Sequence, residues 1–320
     1  MGVSLAAGEL LGPIFGSITY GIYLVTFGIA MHRLLTTADT GEWKRRSQIK
    51  WVMVAVSCVL FVNGTLNITV AIITIFHAFV VYRGPGGPEH VFTHSSSWQT
   101  LTKSFNVPFQ SLLGDAILIY RCWYLWNRNI FIVALPLLIW FANVAVAIRF
   151  LILLGQAAQG LIISTSVRPW VQAFWVMTIC INIMTTSLIV LRIWMVERQN
   201  KSLGISENRP RSTLGRAMRN IIESGAIYTA ASIFTLVTEA LESNLTYPAS
   251  GIEIHSVGIT FNLILIRAAR NIQRSAHPTV SVGFTQPRTM TSRVDANDIF
   301  AMSRIGKESD YNADRGPEAL

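Results

Sequence analysis

Long apolar runs alternate with short polar stretches along this chain, and the runs have the length of a membrane crossing. They cover about Leu10–Met31, Trp51–Phe79, Ser104–Trp126, Ile130–Phe150, Trp170–Trp194, Ile221–Leu241 and Gly251–Ala269. A helix needs roughly 20 mostly apolar residues to cross the hydrocarbon core. Lipid offers the backbone no hydrogen-bond partners, so each run is expected to be helical. The pattern predicts an all-α, seven-transmembrane-helix bundle spanning residues 10–269. A short extracellular N-terminus precedes it at 1–9, and a cytoplasmic tail follows at 270–320. The second run is long enough to tilt or to extend past the bilayer. The first has no basic flank before it, so it is expected to be a retained helix rather than a cleaved signal.

The basic residues set a direction. The stretches after runs one, three, five and seven hold Arg33, Lys44, Arg45, Arg46 and Lys50, then Arg128, then a group from Arg192 to Arg219, then Arg270 and Arg274. The alternate stretches hold only Arg83, Lys103, Arg149 and Arg168. Short cytoplasmic loops collect Lys and Arg, so the N-terminus is expected outside and the C-terminus in the cytoplasm, with the protein in the plasma membrane. The outer stretch from Val81 to Leu101, with GPGGPEH and HSSS, is expected to be irregular. After about Ser275 the chain is polar and expected to be disordered.

Composition agrees with this reading. Charged residues are 13% of the chain and hydrophobic ones 51%, with a mean hydropathy of +0.44, whereas soluble domains carry about 25% charged residues. The net charge of +9 is spread between apolar runs rather than clustered on one folded face, which argues against nucleic acid as a partner. Cys58, Cys122 and Cys180 all fall inside apolar runs, so no exposed disulfide is expected.

Candidate chemistry lies inside the runs. Asp115 falls near mid-depth of the third, where a charge costs about 2.5–3.5 kcal/mol and normally faces the bundle interior. Asn63 and Asn67, four apart in run two, and Asn262 in run seven are its candidate partners. Two readings stand: an ion, proton or ligand site, or interhelical hydrogen bonding that fixes packing. Arg121 lies near the cytoplasmic end of the same run beside Trp123, Tyr124 and Trp126. It either snorkels to the interface or bridges to Glu223 at the start of run six and holds an inactive state. Glu239, Glu242, Glu253 and His255 are expected near the outer side, with Arg149 and Arg168, joining span ends or lining a mouth for a polar or cationic ligand. His90 and His94 have helical metal-ligand spacing, but their Gly- and Pro-rich surroundings argue against a zinc site. Pro13, Pro108 and Pro136 mark possible kinks around a cavity. Glycine and Ser/Thr in runs one, six and seven favour close helix contact.

Several activities lack their residues. Run seven has no lysine for a retinal Schiff base, and the chain has no GxSxG, P-loop or clustered histidines within spans. No enzyme activity and no cofactor is therefore expected. Run three reads Tyr120-Arg121-Cys122 where rhodopsin-like receptors carry Asp-Arg-Tyr, and run seven lacks Asn-Pro-x-x-Tyr.

FGSITYGIYLVTF, GDAILIYRCWYLWNRN, ESGAIYTAASIFTLVT and VGITFNLILIR together resemble a large family of seven-helix membrane proteins from mushroom-forming fungi. The resemblance covers roughly residues 10 to 275. The shared stretches contain Gly114, Asp115, Arg121, Trp123, Asn127, Glu223, Ser224, Gly225, Tyr228, Gly258 and Asn262. It implies fold, membrane location and a receptor-like layout, and carries no chemistry. From the chain alone, two functions are expected. One is a receptor or sensor of a small extracellular ligand, signalling through a cytoplasmic partner at 192–219. The other is a transporter or channel for a small solute or proton that uses Asp115.

Overall fold

The computed structural model describes residues 4–36, 43–44, 49, 51–85, 87–93, 98–158, 167–202 and 212–276. Those residues form helices and no strands. The helices are α1 (Leu5–Leu35), α2 (Trp51–Phe76), α3 (Gly87–Thr93), α4 (Trp98–Leu125), α5 (Ile130–Ala158), α6 (Arg168–Ser202), α7 (Ser212–Ala240) and α8 (Thr246–Ala276). All lie in the unit Met1–His277. The tail expected to be disordered lies outside the described residues apart from the last turns of α8.

Five helices are long and apolar enough to cross a membrane: Leu5–Leu35, Trp51–Val81, Ile130–Gln156, Arg168–Val196 and Thr246–Ala269. Their outward faces carry large apolar side chains such as Ile18, Val25, Val62, Phe131, Leu138 and Ile183, while Asn, Thr, Ser and carboxyl side chains are buried inside. That inversion suits a solvent of hydrocarbon tails. The other two long helices, α4 and α7, fall short of that apolarity. For α4 its position accounts for it. The helices close a ring in the order α1, α2, α4, α5, α6, α7, α8 and back to α1, and α4 also packs on α6 and α8. A helix enclosed by others need not be lipid-soluble all round. Along α4 the buried polar residues Asn106, Gln110, Ser111 and Asp115 recur at spacings of four and five, so they form an inward stripe.

The tightest seam joins the two ends of the bundle. Gly8, Gly12 and Gly16 stand four apart on α1 and face Asn244, in the turn before α8, and Tyr247 and Gly251 in its first turns. A Cβ at Gly8 would sit 2.5 Å from the Asn244 carbonyl oxygen, and one at Gly251 would sit 2.9 Å from the Gly12 carbonyl oxygen. Small residues at such spacing let backbones approach, as the sequence suggested. Lower on the same seam, a Cβ at Gly258 would meet the Tyr23 ring at 2.3 Å.

Two expectations change. The stretch from Val81 to Leu101 is only partly irregular. Beyond α2, His77–Val81 forms a π-helical turn, Gly87–Thr93 forms α3, and α4 begins at Trp98. Gly87 absorbs a φ of 61° at the first residue of α3, so the glycine initiates the helix that composition argued against. His90 lies in α3, where its ring stacks on Tyr82 at 5.6 Å; His94 falls outside the described residues. The basic stretch 192–219 is also largely helical. It consists of the last turns of α6 and the first of α7, with 203–211 outside the described residues. Here Arg192 lies 5.2 Å over the Trp126 ring and Arg198 lies 5.5 Å over Trp194. The cysteines are free, Cys122 buried and Cys180 exposed.

The Tyr23 ring is almost wholly buried, so it has no room to yield. Gly258→Ala is therefore expected to destabilise the bundle by about 1–3 kcal/mol, the usual cost of overpacking. Gly21→Ala, with no atom near its Cβ position, is expected to leave stability unchanged or slightly raised. Thermal unfolding of the two purified variants in one detergent separates these outcomes.

Candidate functional site

A cavity of about 570 Å³ opens at the end of the bundle where α1 and α8 begin. Phe150, Phe174 and Trp175 form its apolar wall. Its charged groups are the carboxylates Glu9, Glu239 and Glu242 and the cations Lys103 and Arg168, so carboxylates outnumber cations. Lys103 pairs with Glu9 at 3.0 Å. Arg168 pairs with Glu242 and also donates to the Glu239 backbone carbonyl at 2.8 Å.

That second contact depends on how α7 ends. Glu242 takes a left-handed φ of 54°, and Ser243 N donates back to the Thr238 carbonyl at 3.0 Å. This i to i−5 bond is the helix-ending pattern usually built on glycine. It turns the Glu242 side chain back to Arg168 at the start of α6. Exposed pairs of this kind add little stability; here the pair fixes the rim of the cavity.

Deeper in, polar side chains form two layers. In the upper one, Asn63 Nδ2 donates to the Gln110 side-chain oxygen at 2.9 Å and to the Asn106 carbonyl at 3.0 Å. Asn67 lies one turn above Asn63 on α2 and reaches the cavity wall. One turn further along α4 comes an acidic layer. Ser111 Oγ donates to Glu253 Oε1 at 2.9 Å, and the Tyr228 hydroxyl donates to Asp115 Oδ1 at 3.3 Å. Thr178 borders the Asp115 carboxyl and receives a 2.9 Å bond from Asn143 Nδ2. Asp115 and Glu253 are fully buried, and each leaves its second oxygen without a hydrogen-bond partner. Close approach of α4 and α8 makes the layer: a Cβ at Gly114 would lie 2.6 Å from Val257.

The sequence placed Asp115 with Asn63, Asn67 and Asn262, and the structure does not group them so. Asn63 serves α4 one layer above. Asn262 accepts from Ser57 at 3.2 Å, nearer the far end. The hydrogen-bonding neighbours of Asp115 come from α6 and α7, Thr178 and Tyr228. Glu253 and His255, expected at the mouth, are instead fully buried. Two residues apart on α8, they face opposite ways: Glu253 towards Ser111, and His255 towards Tyr20 and Tyr23 of α1, whose ring centres lie 5.4 and 6.1 Å away. Neither ring nitrogen of His255 finds a partner. A signal for Glu253 was present: Glu253, Ser256 and Thr260 recur at helical spacing, and all three are buried.

At the far end the expected Arg121–Glu223 bridge does not form. The Arg121 guanidinium lies 5.0 Å above the Phe261 ring, because α8 stands between α4 and that acid. Glu223 pairs with Arg219 at 2.9 Å, one turn before it on α7, and with Arg267 of α8 at 3.4 Å. The cross-helix contact there joins α7 to α8.

Between this end and the acidic layer, Leu60, Ile117, Val257, Phe261 and Leu265 pack around Tyr228 as an apolar plug. No set of three or more His, Cys, Asp or Glu side chains suited to a metal ion is present among the described residues.

Ser111→Ala and Tyr228→Phe each strip a carboxyl oxygen of its hydroxyl donor. Each is expected to lower stability by about 1–3 kcal/mol, the cost of an unsatisfied buried acceptor, measured as a fall in the thermal unfolding midpoint. A loss no larger than that of Ser17→Ala, at an exposed position on α1, would mean the layer is not held as described. Comparison of the chain with protein-family models, curated proteins and solved structures finds no match.

Proposed function

We propose that this chain is a seven-span membrane receptor, with its N-terminus outside, that takes a small cationic ligand into the cavity at the outer end of the bundle. The observation that carries the reading is the shape of the interior: a wide cavity at one end and an apolar plug before the other. Ligand sites are typically concave and mostly apolar, with a few placed polar groups. An aromatic wall beneath an excess of carboxylates matches an ammonium group carried on an apolar body. In this reading α4 and α7 are also spans, since their polar faces turn inward. The bias of Lys and Arg puts the cavity end outside.

The route from ligand to cytoplasm runs along α7 and α8. Both line the cavity, through Glu239 and Gly251, and both carry the Glu223–Arg267 pair at the other end. The distance is about 24 Å at 1.5 Å per residue. A ligand that changes the spacing of these helices at the cavity alters the same pair of helices at the inner surface. The helical ends around 192–202 and 212–219 are then the surface for a signalling partner. The likeness to the fungal seven-helix family is part of the same proposal.

A transporter is the second reading, favoured by the unpartnered oxygen of Asp115 inside the bundle. It requires the plug to open.

Cysteine accessibility tests the orientation and the cavity. Ser104 lines the cavity, and Arg219 is exposed near the opposite end. On intact cells, Ser104→Cys is expected to react with a membrane-impermeant maleimide, and Arg219→Cys only after permeabilisation. The reverse pattern would refute the orientation. In proteoliposomes carrying a pH gradient, a receptor is expected to pass protons no faster than protein-free vesicles. Proton flux that Asp115→Asn abolishes would establish the transporter instead.

A further inference from the structure

The acidic layer has a composition that packing does not require. Two carboxyl groups from different helices, Asp115 on α4 and Glu253 on α8, lie at one level with no exposed surface. Neither forms an ion pair with Lys, Arg or His among the described residues. The nearest cation along α4, Arg121, stands about 9 Å further down the helix and lies against Phe261. His255 faces α1. Burying a carboxylate without a compensating charge is among the most expensive placements in a protein, and here two share a layer.

What surrounds them is oxygen. Ser111 and Tyr228 hold one oxygen of each carboxyl, and Thr178 borders Asp115 from α6. The Tyr228 hydroxyl also neighbours Ser111 and Glu253, so α4, α7 and α8 meet at one point. Three fully buried oxygens are without any hydrogen bond: Asp115 Oδ2, Glu253 Oε2 and Asn143 Oδ1. The third comes from α5 and is tied to the layer through Thr178. Buried polar atoms are nearly always paired, so three unpaired acceptors on three helices around two buried carboxyls point to a positively charged occupant. A set of carboxylate, hydroxyl and amide oxygens with no nitrogen or sulfur selects hard cations over transition metals.

The layer also lies directly beneath the cavity. Pro108, Trp175 and Gly251 line the cavity. They precede Ser111, Thr178 and Glu253 by no more than one helical turn on α4, α6 and α8.

We propose that Asp115 and Glu253 together hold a single hard inorganic cation, sodium or calcium, reached through the cavity above. The ion neutralises the layer and ties α4 to α8 through its two carboxylates, with hydroxyls of α4, α6 and α7 completing its shell. The site is separate from the ligand cavity, and its test reads ion binding at equilibrium, without ligand, signal or flux. Its failure would leave the receptor reading intact.

The test is thermal unfolding of the purified full chain, titrated with sodium or calcium chloride against choline chloride at matched ionic strength. Saturating sodium or calcium is expected to raise the midpoint by about 5–10 °C over choline, the gain from a ligand at a hundredfold its Kd. Asp115→Asn and Glu253→Gln are each expected to fold in choline and to lose that rise. Equal midpoints for the wild-type chain in all three salts would overturn the proposal, as would a rise that both variants keep. If a variant does not fold, equilibrium dialysis of the wild-type chain with radiolabelled sodium and calcium decides. One ion per chain, with a shift of the carboxylate infrared bands on binding, supports the site; no saturable binding refutes it.

Discussion

Hydrocarbon cannot hydrogen-bond, and this constraint decides where most polar groups in the bundle go. Apolar side chains cover the outward faces of the long helices, and Asn, Ser, Thr and carboxyl groups turn inward. Buried hydroxyls such as Thr74, Ser232 and Thr235 bond back to their own helix, while amide and carboxyl groups find partners on a neighbouring one. Asn63 reaches α4, Ser111 reaches α8, Tyr228 reaches α4 and Asn182 reaches Thr229 of α7. The bundle is held by cross-helix bonds and close backbone packing rather than by apolar burial, which supplies little drive between helices already in lipid.

The central position of α4 follows from the same constraint. It packs on α2, α5, α6 and α8, so it can carry Asn106, Gln110, Ser111 and Asp115 on one face without exposing them to lipid. It is thereby the shared member of both polar layers. One helix thus sets the depth at which polar chemistry is possible, between the open cavity above and the packed apolar cluster below.

Much of this was legible from the chain. The five most apolar helices were readable because length and apolarity are properties of a segment alone. The glycines of α1 and α8 announced close contact through their spacing. Asp115 stood out because an acid in an apolar run has few places to go. Its partners were not readable, because they depend on the order of helices around the ring. Asn63 and Asn67 lie at a similar depth on α2, but α2 meets α4 one turn higher, at Asn106 and Gln110. Glu253 was misplaced because distance from the start of an apolar run measures depth poorly when the helix begins earlier, here at Thr246. Arg121 and Glu223 share an end of the bundle but not a face, and sequence spacing within single helices does not encode that.

The glycine seam has a consequence for biosynthesis. Gly8 and Gly12 find their counterparts only at Asn244 and Tyr247, near the opposite end of the bundle in sequence. At ribosomal speeds of about 5–20 residues per second, α1 waits on the order of 10–50 s before its partner emerges. Throughout that interval its narrow glycine face is open to lipid or to any other helix nearby, and the ring cannot close. Premature association of that face with a second nascent chain is the hazard this topology carries, and early release of the chain before α8 leaves it permanently unsealed.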